Sequence, residues 1–212
     1  FRSITPAWNT RNLHTLARVV ASPCILAHVR AATQSSGVNE ANCHPFRFDR
    51  FLFMHNGDVG GFPRVRRRLL EGLSDVAFGN VFGSTDSEHL FAVVIDEMRS
   101  QPDLDPARHM AGALQRAIAR VTRAVHEHGT GEPSWLNIAF SDGDHAVASR
   151  FCDAPGEEPE SLYWFRGELQ DALADGAEHA ADDMPLLVSS ERLTDHDGWR
   201  EIPANHLIVA SR

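Results

Sequence analysis

Phe51-Leu52-Phe53-Met54-His55-Asn56-Gly57-Asp58-Val59-Gly60-Gly61 is the stretch on which the reading of the chain turns. Its four leading apolar residues predict a mostly buried strand, which delivers the polar, glycine-bearing backbone behind it to a fixed place at the end of a sheet. Asn56 brings a side-chain amide donor, and Gly57 brings a backbone N–H with no Cβ to hold a ligand away. Two such donors can hold a developing oxyanion. Taken alone, an Asn-Gly pair between apolar runs is more often an ordinary hairpin turn, since both residues tolerate positive φ. The balance moves with the surrounding phrases: His28-Val29-Arg30-Ala31-Ala32-Thr33 and Asn42-Cys43-His44-Pro45-Phe46 upstream, and Gly83-Ser84-Thr85-Asp86-Ser87-Glu88 downstream.

Upstream, residues 9–21 carry Leu13, Leu16, Ala17 and Val20 at helical spacing, and Cys24 to Val29 reads as a short apolar strand. Arg30 stands at its end. A planar, permanently charged fork is costly to bury without an anion, so a carboxylate of the protein or of a ligand should meet it. His44 reads as a catalytic base, a metal ligand or a hydrogen-bonded core histidine. Downstream, Pro63 can open a helix whose buried side is Val65, Leu69 and Leu70, with Arg64, Arg66, Arg67 and Arg68 on a solvated face. Residues 72–83 read as a loop. Thr85-Asp86-Ser87-Glu88 then fits a capping box that starts a helix with Leu90, Phe91, Val94, Ile95 and Met98 on its apolar face. Asp86, in the first turn, either complements the helix dipole or faces a ligand ammonium. Residues 105–128 repeat apolar positions in threes and fours and read as a core helix. The remainder reads as strands over 136–141, 145–151, 162–165, 186–189 and 206–210, with Asp142-Gly143-Asp144 as a hairpin turn and acidic loops over 153–160 and 168–183.

With 212 residues, 42% of them hydrophobic, the chain can bury a substantial core, and it reads as a single domain over 1–212. No run approaches the roughly 18 apolar residues of a membrane span, and no signal-peptide pattern opens the chain. A soluble protein is expected. Three scattered cysteines suit a reducing cytoplasm rather than a disulfide framework. A net charge of −9 argues against wholesale attraction to nucleic acid or to a membrane surface. There is no lysine, which removes Schiff-base chemistry, a phosphate-loop lysine and a Ser-Lys dyad. No cofactor or metal is expected: no Gly-x-Gly-x-x-Gly follows a strand, and His126-Glu127-His128 puts its two histidines on different helical faces. Helices flanked by many short, antiparallel-looking strands predict an α+β layered sandwich, not an alternating βαβ fold.

The four phrases, in this order, resemble the class II, or Ntn-type, glutamine amidotransferases, whose pattern is similar to His-x-Arg-x-Ala-Thr, Asn-x-His-Pro-Phe, His-Asn-Gly and Thr-Asp-Ser-Glu. Further phrases, Ser3-Ile4-Thr5-Pro6-Ala7-Trp8-Asn9, Ser161-Leu162-Tyr163-Trp164 and Ser189-Ser190-Glu191-Arg192-Leu193-Thr194 followed by Gly198-Trp199, resemble one branch of that class. The branch includes the fungal glutathione-degradation amidotransferase subunit and the bacterial ergothioneine-pathway amidohydrolase. The resemblance implies a four-layer αββα sandwich of two antiparallel sheets between helices. It also implies that Arg30 clamps the α-carboxylate of glutamine or a γ-glutamyl group, that Asp86 takes the α-ammonium, and that the Asn56 side chain and Gly57 N–H form an oxyanion hole. Thr33 and His44 would line the pocket. The implied substrate is glutamine or a γ-glutamyl small molecule, with a separate peptidase or synthase subunit as a conceivable partner.

The chain departs from that pattern at one point. The class uses a cysteine that is residue one of the mature protein, with its own α-amine as the proton shuttle, whereas residue one here is Phe1. The expectation is therefore of an N-terminally truncated domain whose nucleophile lies upstream, inactive as it stands. Three other readings remain: a γ-glutamyl-binding or partner-binding scaffold without turnover, a hydrolase in which Cys43 attacks with His28, His44 or His55 as base, and a metal site among the twelve histidines.

Overall fold

In the computed structural model, which describes residues 1–30, 39–100, 105–167 and 185–211, the apolar half of the opening stretch becomes a strand paired on both sides. β1 (Phe46–Phe48) and β2 (Phe51–Asp58) form a tight hairpin that turns at Asp49, φ 52°. β3 (Trp135–Ser141) pairs with the other side of β2, followed by β4 (His145–Arg150) and β8 (His206–Ser211), in one antiparallel sheet of order β1-β2-β3-β4-β8. A second antiparallel sheet has the order β6-β5-β7, from β5 (Tyr163–Arg166), β6 (Leu186–Ser189) and β7 (Arg200–Glu201).

Strand residues alternate between faces, so Phe51, Phe53 and His55 point one way while Leu52, Met54 and Asn56 point the other. The first set meets helices. α2 (Phe62–Glu71), α4 (Asp86–Ser100) and α5 (Pro106–His128) cover that face, with Phe91 of α4 stacked on Phe53 and edge-on to Phe140. Leu90, Leu114, Val121, Leu136, Ile138 and Val147 complete this core. The opposite face of β4 and β8 meets the small sheet through Ala148, Leu162 and Ile202. Arg150 staples the two together, donating to the carbonyls of Pro159, Glu160 and Ile202 and pairing with Glu201 at 3.0 Å. A buried guanidinium with this many acceptors holds position; losing its partners would strand a charge. The described residues thus carry helix, sheet and sheet layers of the α+β sandwich.

Several elements differ from the expectation for physical reasons. Asn56 and Gly57 are not a turn: they continue β2 opposite Asn137 and Leu136, because a ready-made partner strand outweighs their turn preference. Cys24 to Val29 forms no strand, since among the described residues nothing offers it a hydrogen-bonding ladder. Inside the expected loop of residues 72–83, Ser74 caps a single turn of helix, α3 (Asp75–Phe78). β7 is too short to carry a periodic signal. The N-terminal helix, α1 (Arg11–Val19), is shorter than read and has no buried residue. The loop read over 168–183 lies outside the described residues. Among the described residues no helix is long and apolar enough to cross a membrane. The α2 arginines lie on an exposed face, as expected, Arg67 and Arg68 both pairing with Glu71.

Candidate active site

The hydrogen-bonding direction of β2 decides what Asn56 and Gly57 can do. Leu136 N–H donates to Phe151 O, away from β2. In an antiparallel ladder the residues that bond to one neighbour alternate with those that bond to the other, so Gly57, paired with Leu136, turns its N–H away from β3. On that side β1 pairs only as far as Phe53. The Gly57 N–H therefore points at an edge of β2 that β1 leaves uncovered. The Asn56 side chain, exposed on the face away from the helices, stands next to it. Only glycine fits position 57: φ is +133° and a Cβ would lie 1.9 Å from the Trp135 carbonyl oxygen.

α4 brings Asp86 to the same end of the strand. Its Oδ2 accepts Val59 N–H at 2.8 Å and its Oδ1 accepts Ser87 N–H at 2.8 Å, which leaves lone pairs on both oxygens for a further donor. Thr85 Oγ1 accepts Glu88 N–H at 3.2 Å, the first half of the expected capping box. The second half is absent. Glu88 instead reaches back to Phe82 N–H (3.0 Å) and Gly83 N–H (2.6 Å), pinning the chain that enters the helix. Asn42 pins the next residue, accepting Ser84 N–H at 3.0 Å. The Asn-Cys-His phrase and the Gly-Ser-Thr-Asp phrase are thereby joined.

His28, His44 and Arg30 gather beside His55. The rings of His28 and His44 lie 4.2 Å apart, and His44 stands edge-on to Phe46 at 4.7 Å. Burial pulls the His28 imidazole below its usual range, opposed by its contact with the His55 backbone, with the Arg30 charge lowering it further. Burial, then the neighbouring His28, His55 and Arg30, drives His44 down to about 2. His44 is thus a neutral ring, 7% exposed, with neither nitrogen hydrogen-bonded among the described residues, which is not the hydrogen-bonded core histidine of the sequence reading. Arg30 is exposed and near enough to act on both rings. Thr33 lies outside the described residues.

The Cys43 dyad does not form. Cys43 Sγ faces the carbonyl oxygens of Asn39 (3.5 Å) and Ser3 (3.7 Å), and both nitrogens of His55 are engaged elsewhere. Cys24 Sγ contacts Ser141 Oγ, and burial raises the Cys152 thiol. Among the described residues no group of three or more His, Cys, Asp or Glu side chains could hold a metal ion. Sequence reasoning missed the supports of the site. Ser87 and Glu88 stand in a quoted phrase, but the Ser87 bond to His55 is a long-range fact with no local signature, and Glu88 passes over the capping-box amide that the phrase predicts for the loop before it.

Known proteins resemble this chain along its whole length. Residues 6–212 match the family model described as glutamine amidotransferases class-II. The chain is 34% identical over its whole length to the probable glutamine amidotransferase DUG3 of Saccharomyces cerevisiae, of which it spans 64%. It is 26% identical, again over its whole length, to the gamma-glutamyl-hercynylcysteine sulfoxide hydrolase of Mycobacterium tuberculosis, of which it spans 69%. A solved glutamine aminotransferase class-II domain protein from Silicibacter pomeroyi superposes with a TM-score of 0.75 at 32% identity, covering all of this chain and 80% of that one. The chain belongs to the class II glutamine amidotransferases.

Proposed function

We propose that the protein hydrolyses the γ-amide of glutamine or of a γ-glutamyl small molecule through a cysteine thioester, within a single amidotransferase domain whose N-terminal part lies upstream of Phe1. The observation that carries the reading is the Asn56 amide standing beside a Gly57 N–H at a strand edge that β1 leaves unpaired, close to Asp86. Arg30 would hold the substrate's α-carboxylate and Asp86 its α-ammonium, with His44 and Thr33 lining the pocket. The thiolate of an N-terminal cysteine would attack the γ-carbonyl carbon, and the oxyanion would rest on Asn56 and Gly57. Collapse breaks the C–N bond and releases ammonia or an amine, protonated by the cysteine's α-ammonium. Water then cleaves the thioester to glutamate and restores the thiol. On this reading residues 1–212 alone are inactive. Three unpaired cysteines support a reducing, cytoplasmic setting. The peptidase- or synthase-type partner belongs to the same proposal and rests on the resemblance alone.

The test is to incubate the full-length protein with an electrophilic glutamine analogue, locate the adduct by peptide mass spectrometry, and assay glutamine and glutathione side by side. An adduct on the N-terminal cysteine with amide hydrolysis is expected. Glutamine binding without adduct or turnover would instead establish the non-catalytic γ-glutamyl-binding scaffold.

A further inference from the structure

Both flanks of Asp86 are held by buried histidines, and one of them also reaches the strand that seats Gly57. His89 Nδ1 lies 2.7 Å from the Thr85 carbonyl and its Nε2 accepts from Arg66. His55, 3% exposed, spans further: Nδ1 is 2.9 Å from Ser87 Oγ on α4, and Nε2 is 3.0 Å from the Trp135 carbonyl on β3. A carbonyl only accepts, so Nε2 carries a proton; in the neutral ring Nδ1 then takes the Ser87 hydroxyl hydrogen at 2.9 Å in preference to the more distant Asp86 Oδ1 at 3.4 Å. The two ends of the ring touch the two halves of the proposed site. Ser87 is bonded through its N–H to Asp86, and the Trp135 oxygen is the atom that a Cβ on Gly57 would strike.

We infer that His55 is a positioning residue, a two-armed spacer that holds Asp86 and the Gly57 N–H in register across the α4–β2–β3 junction. The inference rests on the proposed function, since it assigns a purpose to that site's geometry. Each arm has its own consequence. The Ser87 arm sets where a substrate ammonium is met, and the Trp135 arm sets where the oxyanion donor points.

Two replacements separate the arms, because glutamine carries its polar atoms at the reach of Nε2 and asparagine at the reach of Nδ1. In the full-length protein, His55→Gln keeps a donor for Trp135 O and loses the Ser87 arm. It is expected to raise KM for glutamine about tenfold with kcat nearly unchanged. His55→Asn keeps an acceptor for Ser87 and loses the Trp135 arm. It is expected to lower kcat roughly 10- to 100-fold with KM nearly unchanged. Ser87→Ala should reproduce His55→Gln, and it carries the test if either His55 variant fails to fold. Ile118→Ala, in the α5 core and in none of the hydrogen bonds named for the site, serves as the control for lost stability alone. Parallel changes in kcat and KM that merely follow Tm, as in that control, would overturn the inference, as would unaltered kinetics in all three. A wild-type protein that turns over no γ-glutamyl amide counts against the proposed function instead. In that case imidazole nitrogen NMR at pH 8 decides the spacer: a proton on Nε2 with Nδ1 as acceptor supports it, and the opposite tautomer refutes it.

Discussion

Helices α5 and α1 are written with the same kind of apolar periodicity and meet opposite fates. In α5, Met110, Ala113, Leu114, Ala117, Ile118, Val121 and Val125 are all buried against β4, β8 and α4, whereas α1 has no buried residue and Val19 is 74% exposed. The contrast extends through residues 1–30, none of which is buried. Periodicity determines whether a helix can form, but burial requires a complementary surface to receive its apolar side. The candidate site lies across this divide, with Asn56, Gly57 and Asp86 on the packed half and Arg30 on the sparsely packed one.

Substitutions can break the contrast or sharpen it. Gly57→Ala belongs at the packed extreme, because the backbone of Trp135 leaves no room for a methyl and φ is +133°. A loss above about 4 kcal/mol, seen as insoluble protein or a collapsed Tm, is expected. A stable Gly57→Ala protein would contradict the strand geometry. Next, Leu114→Ala should cost about 2–5 kcal/mol in urea unfolding, and Val19→Ala no more than about 0.5. Similar values for the two would erase the distinction between the helices. Asn56→Ala sharpens the divide between stability and function: the side chain is exposed, so Tm should hold while kcat of the full-length enzyme falls about 10²–10³-fold. A kinetically normal Asn56→Ala would remove it from the oxyanion hole.

A pH-linked effect concerns His44. Its native value sits near 2 while the unfolded chain titrates near 6.5, so between these limits the unfolded state binds the extra proton. Stability is therefore lost as pH falls below about 6.5, by about 2 kcal/mol between pH 7 and 5 from this residue. Urea titrations of wild type and His44→Phe at pH 7, 6 and 5 should show a flatter dependence in the variant. An unchanged slope would mean that His44 is not the buried neutral ring described above.

How far the molecule could be read from its sequence follows the range of the forces involved. The helices at 62–71, 86–100 and 106–128 and the hairpin at Asp142–Asp144 were legible because caps, turn residues and apolar spacing act within a few residues. β2 was read too short, since Asn56 and Gly57 carry turn chemistry locally and only the facing β3 recruits them into a strand. The Cys24–Val29 run misled in the other direction, its β-prone composition meeting no partner strand among the described residues. At the site, Asn56, Gly57, Asp86, Arg30 and His44 were visible as phrases. That His44 has no hydrogen-bonding partner among the described residues, and that Thr85 and Ser87 on either side of Asp86 are each bonded to a histidine, were not.

By itself the sequence determined the family, the apolar strand and the chemical types assembled around it, because those follow from composition and spacing along the chain. Tertiary structure alone decided that the Gly57 N–H turns toward an edge of β2 that β1 does not pair and that Ser87 and Trp135 meet on one imidazole. Hydrogen-bond direction in a ladder depends on which strand lies alongside, and a contact between residues 55, 87 and 135 exists only once helix and sheet have packed.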